Sequence, residues 1–399
     1  MKKICFFILL FEIFISNNVY SQNIKKWDRA FGGDLSDGLS SLQQTYDGGY
    51  ILGGTSLSGI SGDKTQNNNG GNKADYWLVK TDENGIKKWD KTFGGNDVDA
   101  MSFVQQTSDS GYIMGGSSVS GINGDKTETG RGQNDYWIVK TDSIGVKQWD
   151  KTYGGAFNDQ LTCLQQTSDG GYILGGFSFS QISGDKSEPS RGVSDFWVIK
   201  IDQTGVKQWD KRFGASNNDF LMSIDQTADG GYVLGGTTGS ELVEGDKSEP
   251  QKGAAGTTDY WIVKINSVGT KEWDKAFADV DYLDGNGQAR KTASILSSVE
   301  QTKDGGYILG GISEARSGGF PYLGDYWIVK TDPNGIKQWD KRFGGPGAED
   351  DGGVVKQTRD LGFLISGTSY SGAGKDKSES NSSNEETWVI KTDAFGIKQ

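Results

Sequence analysis

Short apolar runs of strand length, bounded by Gly and Asp, recur along the whole chain. The clearest example spans residues 135–155, DYWIVKTDSIGVKQWDKTYGG, and reads as two strands joined by a turn. Near copies start at Asp75, Asp195, Asp259 and Asp325 and, degenerated to ETW, at Glu386. The position three before each WD recurs from Ile24 to Ile397 with a period of roughly 62 residues. A period of that length holding several strands predicts propeller blades or an array. In the second repeat the four predicted strands, A to D, cover residues 100–107, 111–117, 135–142 and 146–153.

The turns between these strands differ in kind. A joins B through D-G-G-Y at Asp47, Asp169, Asp229 and Asp304, with variants at Asp109 and Asp360, and Gly supplies the positive φ of a tight hairpin. C joins D through Asp-x-x-Gly, clearest at Asp332-Pro333-Asn334-Gly335, which fits a type I turn. The B-to-C loops are long and polar, with 18, 16, 16, 20, 11 and 16 residues. Alternating strand direction places both tight turns on one face and the variable loops on the other, where a rigid scaffold would carry a site.

The first repeat unit is a lone D strand at residues 25–31, and the last repeat stops where its own D strand would begin. The fold expected is therefore all-β: a six-bladed β-propeller of four-stranded blades, its ring closed by the N-terminal strand. All twelve Trp fall in the repeat, Trp77, Trp137, Trp197, Trp261, Trp327 and Trp388 on C and the other six on D. Rings fixed in every blade predict inter-blade packing rather than ligand stacking. Lys91, Lys151, Lys211, Lys275 and Lys341 would then guard the outermost strand against edge pairing.

Composition adds a cellular address and removes several chemistries. Residues 1–22 have a basic start, an apolar run and a polar end, the layout of a secretory signal, and 23–399 form the propeller. A net charge of −12 makes nucleic acid and anionic membranes poor partners, and no membrane insertion is expected. Cys163 alone would survive processing, so no internal disulfide forms. With no His in 399 residues, Ser-His-Asp triads, Cys-His dyads and His-ligated metals are excluded.

The strings W-D-K-x-F-G-G, Q-T-x-D-G-G-Y-I-L-G-G and D-Y-W-I-V-K-T-D-x-x-G resemble the roughly 60-residue Trp- and Gly-rich repeats of secreted bacterial proteins often exported by the type IX pathway. The D-x-x-G-x-x-x-W spacing from Asp82 to Trp89 is similar to the tryptophan-docking motif of quinoprotein-like propellers, and the apolar-Gly-Gly ending B is similar to kelch repeats. The resemblance implies a propeller, secreted or at the cell surface. The His-dependent and disulfide-dependent chemistry of those two families does not carry over, because the residues it needs are missing.

Acids after each Trp, and Asp82, Asp142, Asp202, Asp332 and Asp393, recur in equivalent places and are read as turn formers and backbone acceptors. The G-D-K-[ST] tetrapeptides at Asp63, Asp125, Asp185 and Asp246, with a variant at Asp376, are read as solvated loop ornament. What breaks the repeat is more telling. Blade five carries an 11-residue insertion at about 279–292 and the shortest B-to-C loop, both on the variable face. Asp279, Asp281, Asp284 and Asn286 offer oxygen ligands spaced somewhat like a calcium loop. Tyr282, Arg290, Arg316, Phe320 and Tyr322 mix aromatic and guanidinium groups, a composition suited to a ligand-binding hot spot.

The function expected from these residues is a secreted, monomeric, non-enzymatic binding or adhesion propeller for an extracellular protein or glycan, with no cofactor beyond the calcium loop. The alternative is a carbohydrate-active enzyme with a carboxylate pair in the propeller channel. A purely structural part of a larger surface assembly is the third reading.

Overall fold

The computed structural model describes residues 27–279, 292–315, 323–346, 350–381 and 385–399. Blade one holds β1 (Asp37–Gln44), β2 (Tyr50–Ser56), β3 (Asp75–Thr81) and β4 (Lys87–Phe93). Blade two holds β5 (Asp99–Gln106), β6 (Tyr112–Ser118), β7 (Asp135–Thr141) and β8 (Lys147–Tyr153). Blade three holds β9 (Asp159–Gln166), β10 (Tyr172–Ser178), β11 (Asp195–Ile201) and β12 (Lys207–Phe213). Blade four holds β13 (Asp219–Gln226), β14 (Tyr232–Thr238), β15 (Asp259–Ile265) and β16 (Lys271–Phe277). Blade five holds β17 (Thr292–Gln301), β18 (Tyr307–Ala315), β19 (Leu323–Thr331) and β20 (Lys337–Phe343), and blade six β21 (Asp350–Gln357), β22 (Phe363–Ser369) and β23 (Glu386–Thr392).

The chain is thus an all-β, six-bladed β-propeller of four-stranded antiparallel blades, with three strands of the sixth among the described residues. In blade two, strand limits fall within a residue of the sequence reading. The tight hairpins form as expected: Gly170 takes φ 82° and its N–H donates to Thr167 O, while Gly335 N–H donates to Asp332 O at 3.1 Å. Where the repeat lacks that Gly, Ser110 and Leu361 are driven to φ 67°, a region that costs an L-residue roughly 1–2 kcal/mol.

Five apolar cores lie between successive blades, and Trp occupies both sides of each. The C-strand ring packs on an aromatic of the preceding blade, as Trp137 on Tyr76 at 4.8 Å and Trp261 on Phe196 at 4.9 Å. The D-strand ring meets the next blade edge-on, as Trp89 with Tyr112 at 5.6 Å. Tyr76 Oη also donates to Trp137 O at 3.1 Å, so the same ring pair carries packing and a hydrogen bond.

The N-terminal segment makes the side-chain half of such a junction. Trp27 packs edge-on against Tyr50 at 5.5 Å and donates its indole N–H to Glu83 O at 3.0 Å. Residues 27–33 are not paired with β23, and among the described residues that sheet is extended only by the C-terminal turn, through Asp393 N–H to Ile397 O at 2.9 Å and Gln399 N–H to Lys391 O at 3.0 Å. The end faces are correspondingly open. Leu39 and Leu42 are 58% and 62% exposed, whereas their counterparts Leu161 and Leu164, covered by blade two, are 1% and 2%. A hollow of about 200 Å³ lies there between Arg29, Phe31, Leu39, Leu52 and Trp77.

Candidate functional site

The G-D-K-[ST] loops are not solvated ornament. In blade two, Asp125 accepts Gly94 N–H at 3.3 Å while its own N–H donates to Gly94 O at 2.8 Å. Lys126 is buried, its Nζ 5.6 Å from the Trp137 ring centroid. Thr127 donates through N and Oγ1 to Asp150 at 2.9 and 2.8 Å. Glu128 then pairs with Lys151 at 2.7 Å and accepts Thr152 N–H at 3.0 Å. The loop folds back over the outer strand β8 and caps its free edge. The expectation failed because Lys is ordinarily a surface residue, and only the returning loop creates the aromatic and anionic surroundings that admit it.

Beneath each such loop the acid after Trp has a fixed duty. Asp150 accepts Trp137 Nε1–H at 3.1 Å as well as Thr127 and Lys147, and Asp90, Asp210 and Asp274 repeat the arrangement. Asp82 accepts Asn84 and Ile86 N–H at 2.9 Å, a turn former as read. Burial pushes the carboxyl of Asp75 up to about 7, of Asp219 to about 7 and of Asp159 to about 6. Burial likewise draws Lys126 below its usual range, against the opposing pull of Asp99, Asp135 and Asp150. Cys163 is buried with its thiol pushed up to about 12 by desolvation, which fits a packing residue.

Blade five departs from this pattern. Its B-to-C segment has no G-D-K, and 35% of the Asp340 side chain is exposed against 0–3% for Asp90, Asp150, Asp210 and Asp274. Asp340 still accepts Trp327 Nε1–H at 3.0 Å. Asp279 is buried and receives Arg342 Nε–H at 2.8 Å, so its carboxylate ties the residue that opens the insertion to β20. The other calcium candidates, Asp281, Asp284 and Asn286, and the ligand candidates Tyr282, Arg290, Arg316, Phe320 and Tyr322, lie outside the described residues. Among the described residues no cluster of three or more acidic or Cys side chains is placed to hold a metal.

A second polar region, not foreseen from the sequence, lies at the turn-face ends of the A strands. In blades two to six the Gln of x-Q-T accepts a backbone N–H from the preceding blade: Tyr46 N to Gln106 at 2.8 Å, Ser108 to Gln166 at 2.8 Å, Ser168 to Gln226 at 2.9 Å, with Ala228 to Gln301 and Lys303 to Gln357 alike. The first position answers it, Gln43 accepting Gln106 N–H at 2.6 Å and Gln105 accepting Gln166 N–H at 2.8 Å. In blades four to six that first position becomes Asp225, Glu300 and Lys356. Asp225 accepts Gln165 Nε2–H and Gln301 N–H at 3.1 and 2.9 Å, and Glu300 pairs with Lys356 at 3.0 Å. A hollow of about 450 Å³ borders this ladder, walled by Gln43, Gln105, Gln166, Ser168 and Tyr46. The signal in the sequence was the drift of x in x-Q-T and the single aromatic in T-x-D-x-G.

Fold and site together define a six-bladed propeller whose blades are bridged by an amide ladder on one face and by lysine-bearing loops on the other. No protein-family model matches the chain. It is similar to the regulatory protein FlaEY of Caulobacter vibrioides, 24% identical over 271 residues, which are 64% of this chain and 26% of that protein. The chain thus spans about a quarter of that relative's length. Solved structures similar to it include a protein of unknown function from Bacteroides caccae (7% identity, TM-score 0.38, covering 82% of this chain and 90% of that one). The Neurospora crassa Pan2 WD40 domain is 11% identical with a TM-score of 0.39, covering 82% and 86%. A glycoside hydrolase family 43 arabinoxylan arabinofuranohydrolase from Bacillus subtilis is 12% identical with a TM-score of 0.33, covering 86% and 80%.

Proposed function

We propose that the protein is a non-enzymatic binding or adhesion propeller that works outside the cell on a protein or glycan. The observation that carries this reading is the division of labour between repeated and unrepeated side chains. The acids and lysines that recur are consumed in scaffold contacts, as Asp150 and Lys126 are. Side chains open to a ligand stand where the repeat breaks, at Asp340 in blade five and at Tyr46 in blade one. Secretion fits the leader-like residues 1–22, and calcium held by Asp279, Asp281, Asp284 and Asn286 belongs to this reading as its one cofactor.

Protein and glycan arrays probed with the wild type and with a chain lacking residues 280–290 test the reading. Loss of a ligand on deletion supports the blade-five face, and equal binding rejects that face. A wild type that binds nothing on either array overturns the binding function.

The second reading, a carbohydrate-active enzyme, is favoured by one observation: Asp225 and Glu300 place two carboxylates on neighbouring inner strands. Both are engaged by Gln301 and Gln357 N–H, at 2.9 and 3.3 Å. Turnover of a polysaccharide that disappears with Asp225→Asn and Glu300→Gln would establish it.

A further inference from the structure

The sequence points to the variable-loop face for a site, yet on the opposite, tight-turn face the blade-one turn is unlike the other five. The residue after Thr in T-x-D-x-G is Ser108, Ser168, Ala228, Lys303 and Arg359 in blades two to six, and Tyr46 in blade one. Tyr46 is 73% exposed. Its backbone is nevertheless fixed, because its N–H donates to Gln106 Oε1 at 2.8 Å and the neighbouring Thr45 N–H to Gly49 O at 2.8 Å. The phenol therefore stands on a rigid hairpin rather than a mobile tip.

Tyr46 borders two hollows, and Gln106 is shared between them as well. One is the space of about 450 Å³ bordered by Gln43, Gln105 and Gln166, and the other a space of about 430 Å³ bordered by the Asp47–Lys80 ion pair, Lys88 and Trp89. The amides are oriented. Gln43 Oε1 must face the Gln106 N–H and Gln105 Oε1 the Gln166 N–H, since only the oxygen can accept. Their Nε2 groups, with no protein partner among the described residues, are left as donors at the hollow. Further round the ladder this donor is used up, for Gln165 Nε2 donates to Asp225 Oδ1 at 3.1 Å.

An open aromatic face beside fixed amide donors and an ion pair matches one ligand chemistry well. A pyranose ring offers an apolar C–H face to stack on a phenol and hydroxyls on its rim to pair with amides, carboxylates and ammonium groups. We infer that the turn face of blades one to three, centred on Tyr46 with Gln43 and Gln105, is a binding site for a hydroxyl-rich glycan chain. Two hollows that share Tyr46 in their lining suit two successive sugar units of a polymer. This site rests on the binding reading above and gives it a place on the opposite face from the blade-five insertion.

The test is affinity electrophoresis of the full chain through gels containing dextran, xylan or laminarin. Tyr46→Ser copies the residue that blades two and three already carry, so the hairpin is kept, and Tyr46→Phe retains the ring. The wild type and Tyr46→Phe should be retarded by at least one polymer, and Tyr46→Ser should bind it roughly tenfold more weakly, the loss of one stacking face. Equal retardation of Tyr46→Ser and wild type overturns the site and leaves the binding reading standing. No retardation of the wild type by any of the polymers overturns the glycan assignment, whereas the binding reading itself falls only if the protein and glycan arrays are also blank.

Discussion

The indole N–H of Trp137 meets the Asp150 carboxylate at 3.1 Å, and the same carboxylate holds Thr127 of the overlying loop at 2.8 and 2.9 Å. One acid thus ties the C strand, the D strand and the B-to-C loop of its blade together. Asp150→Ala would strand a buried indole N–H and a backbone N–H. Stability should fall by about 3 kcal/mol, the scale for breaking a buried charged network. In blade five, where Asp340 is half-exposed and water can replace it, Asp340→Ala should cost about 1 kcal/mol. Denaturant melts of the two variants check the ordering, and equal losses would contradict it.

Backbone strain gives a second, oppositely signed prediction. Leu361 and Ser110 occupy the positive-φ position that Gly fills in four of the A-to-B hairpins. Leu361 is exposed, so Leu361→Gly removes strain without loss of packing and should stabilise by about 1 kcal/mol. The reverse change, Gly170→Leu, should destabilise by a similar amount. A higher melting temperature for Leu361→Gly is the expected readout.

Buried carboxylates set the pH response. Burial raises Asp75 and Asp219 to about 7 and Asp159 to about 6, above the ordinary 3.8. A raised acid favours the protonated fold, so its contribution is complete below 3.8 and is lost as pH climbs through 6 to 7. Asp47, hydrogen-bonded by Thr45 and paired with Lys80, and Asp229, held by Thr227 and Lys264 against its partial burial, are lowered to about 2. Their contribution is present above 3.8 and is lost as pH falls toward 2. From these acids the melting temperature should peak near about pH 4 and decline toward pH 7, and a melting temperature that rises between pH 4 and 7 would contradict the burial of these acids.

At the ends of the chain, Trp27 on Tyr50 marks where the N-terminal segment docks on blade one, at 5.5 Å. Residues 27–33 are not paired with β23 in the structure, and we propose that in solution the segment closes the ring by pairing there, since among the described residues that edge carries only the C-terminal turn of Asp393–Ile397 and Lys391–Gln399 bonds. Deleting residues 25–31 should then lower the melting temperature by at least several degrees and expose β23 amides to hydrogen exchange. An unchanged melt would argue against a closed ring.

The strands were legible because period-two runs, Asp-Gly turns and twelve Trp all repeat, and each is a local signal with one structural meaning. Lys126 was not legible. Its burial depends on a loop returning over Trp137, a tertiary event with no mark in a polar tetrapeptide. The amide ladder was half visible. Q-T recurs in the sequence, but Gln43 answering Gln106 joins residues 63 apart on separate blades. Tyr46 stood in plain sight as the one aromatic in its turn, and its meaning came only from the two hollows it borders. Of the blade-five candidates, Asp279 is described, and the others are not.

If repeated residues build the propeller and ligands meet it where the repeat fails, then restoring the repeat at both places, with Tyr46→Ser and deletion of residues 280–290 in one chain, should abolish binding. On protein and glycan arrays the wild type should bind a ligand and the restored chain should not, while their melting temperatures stay within a few degrees. Full binding by the restored chain would contradict the account.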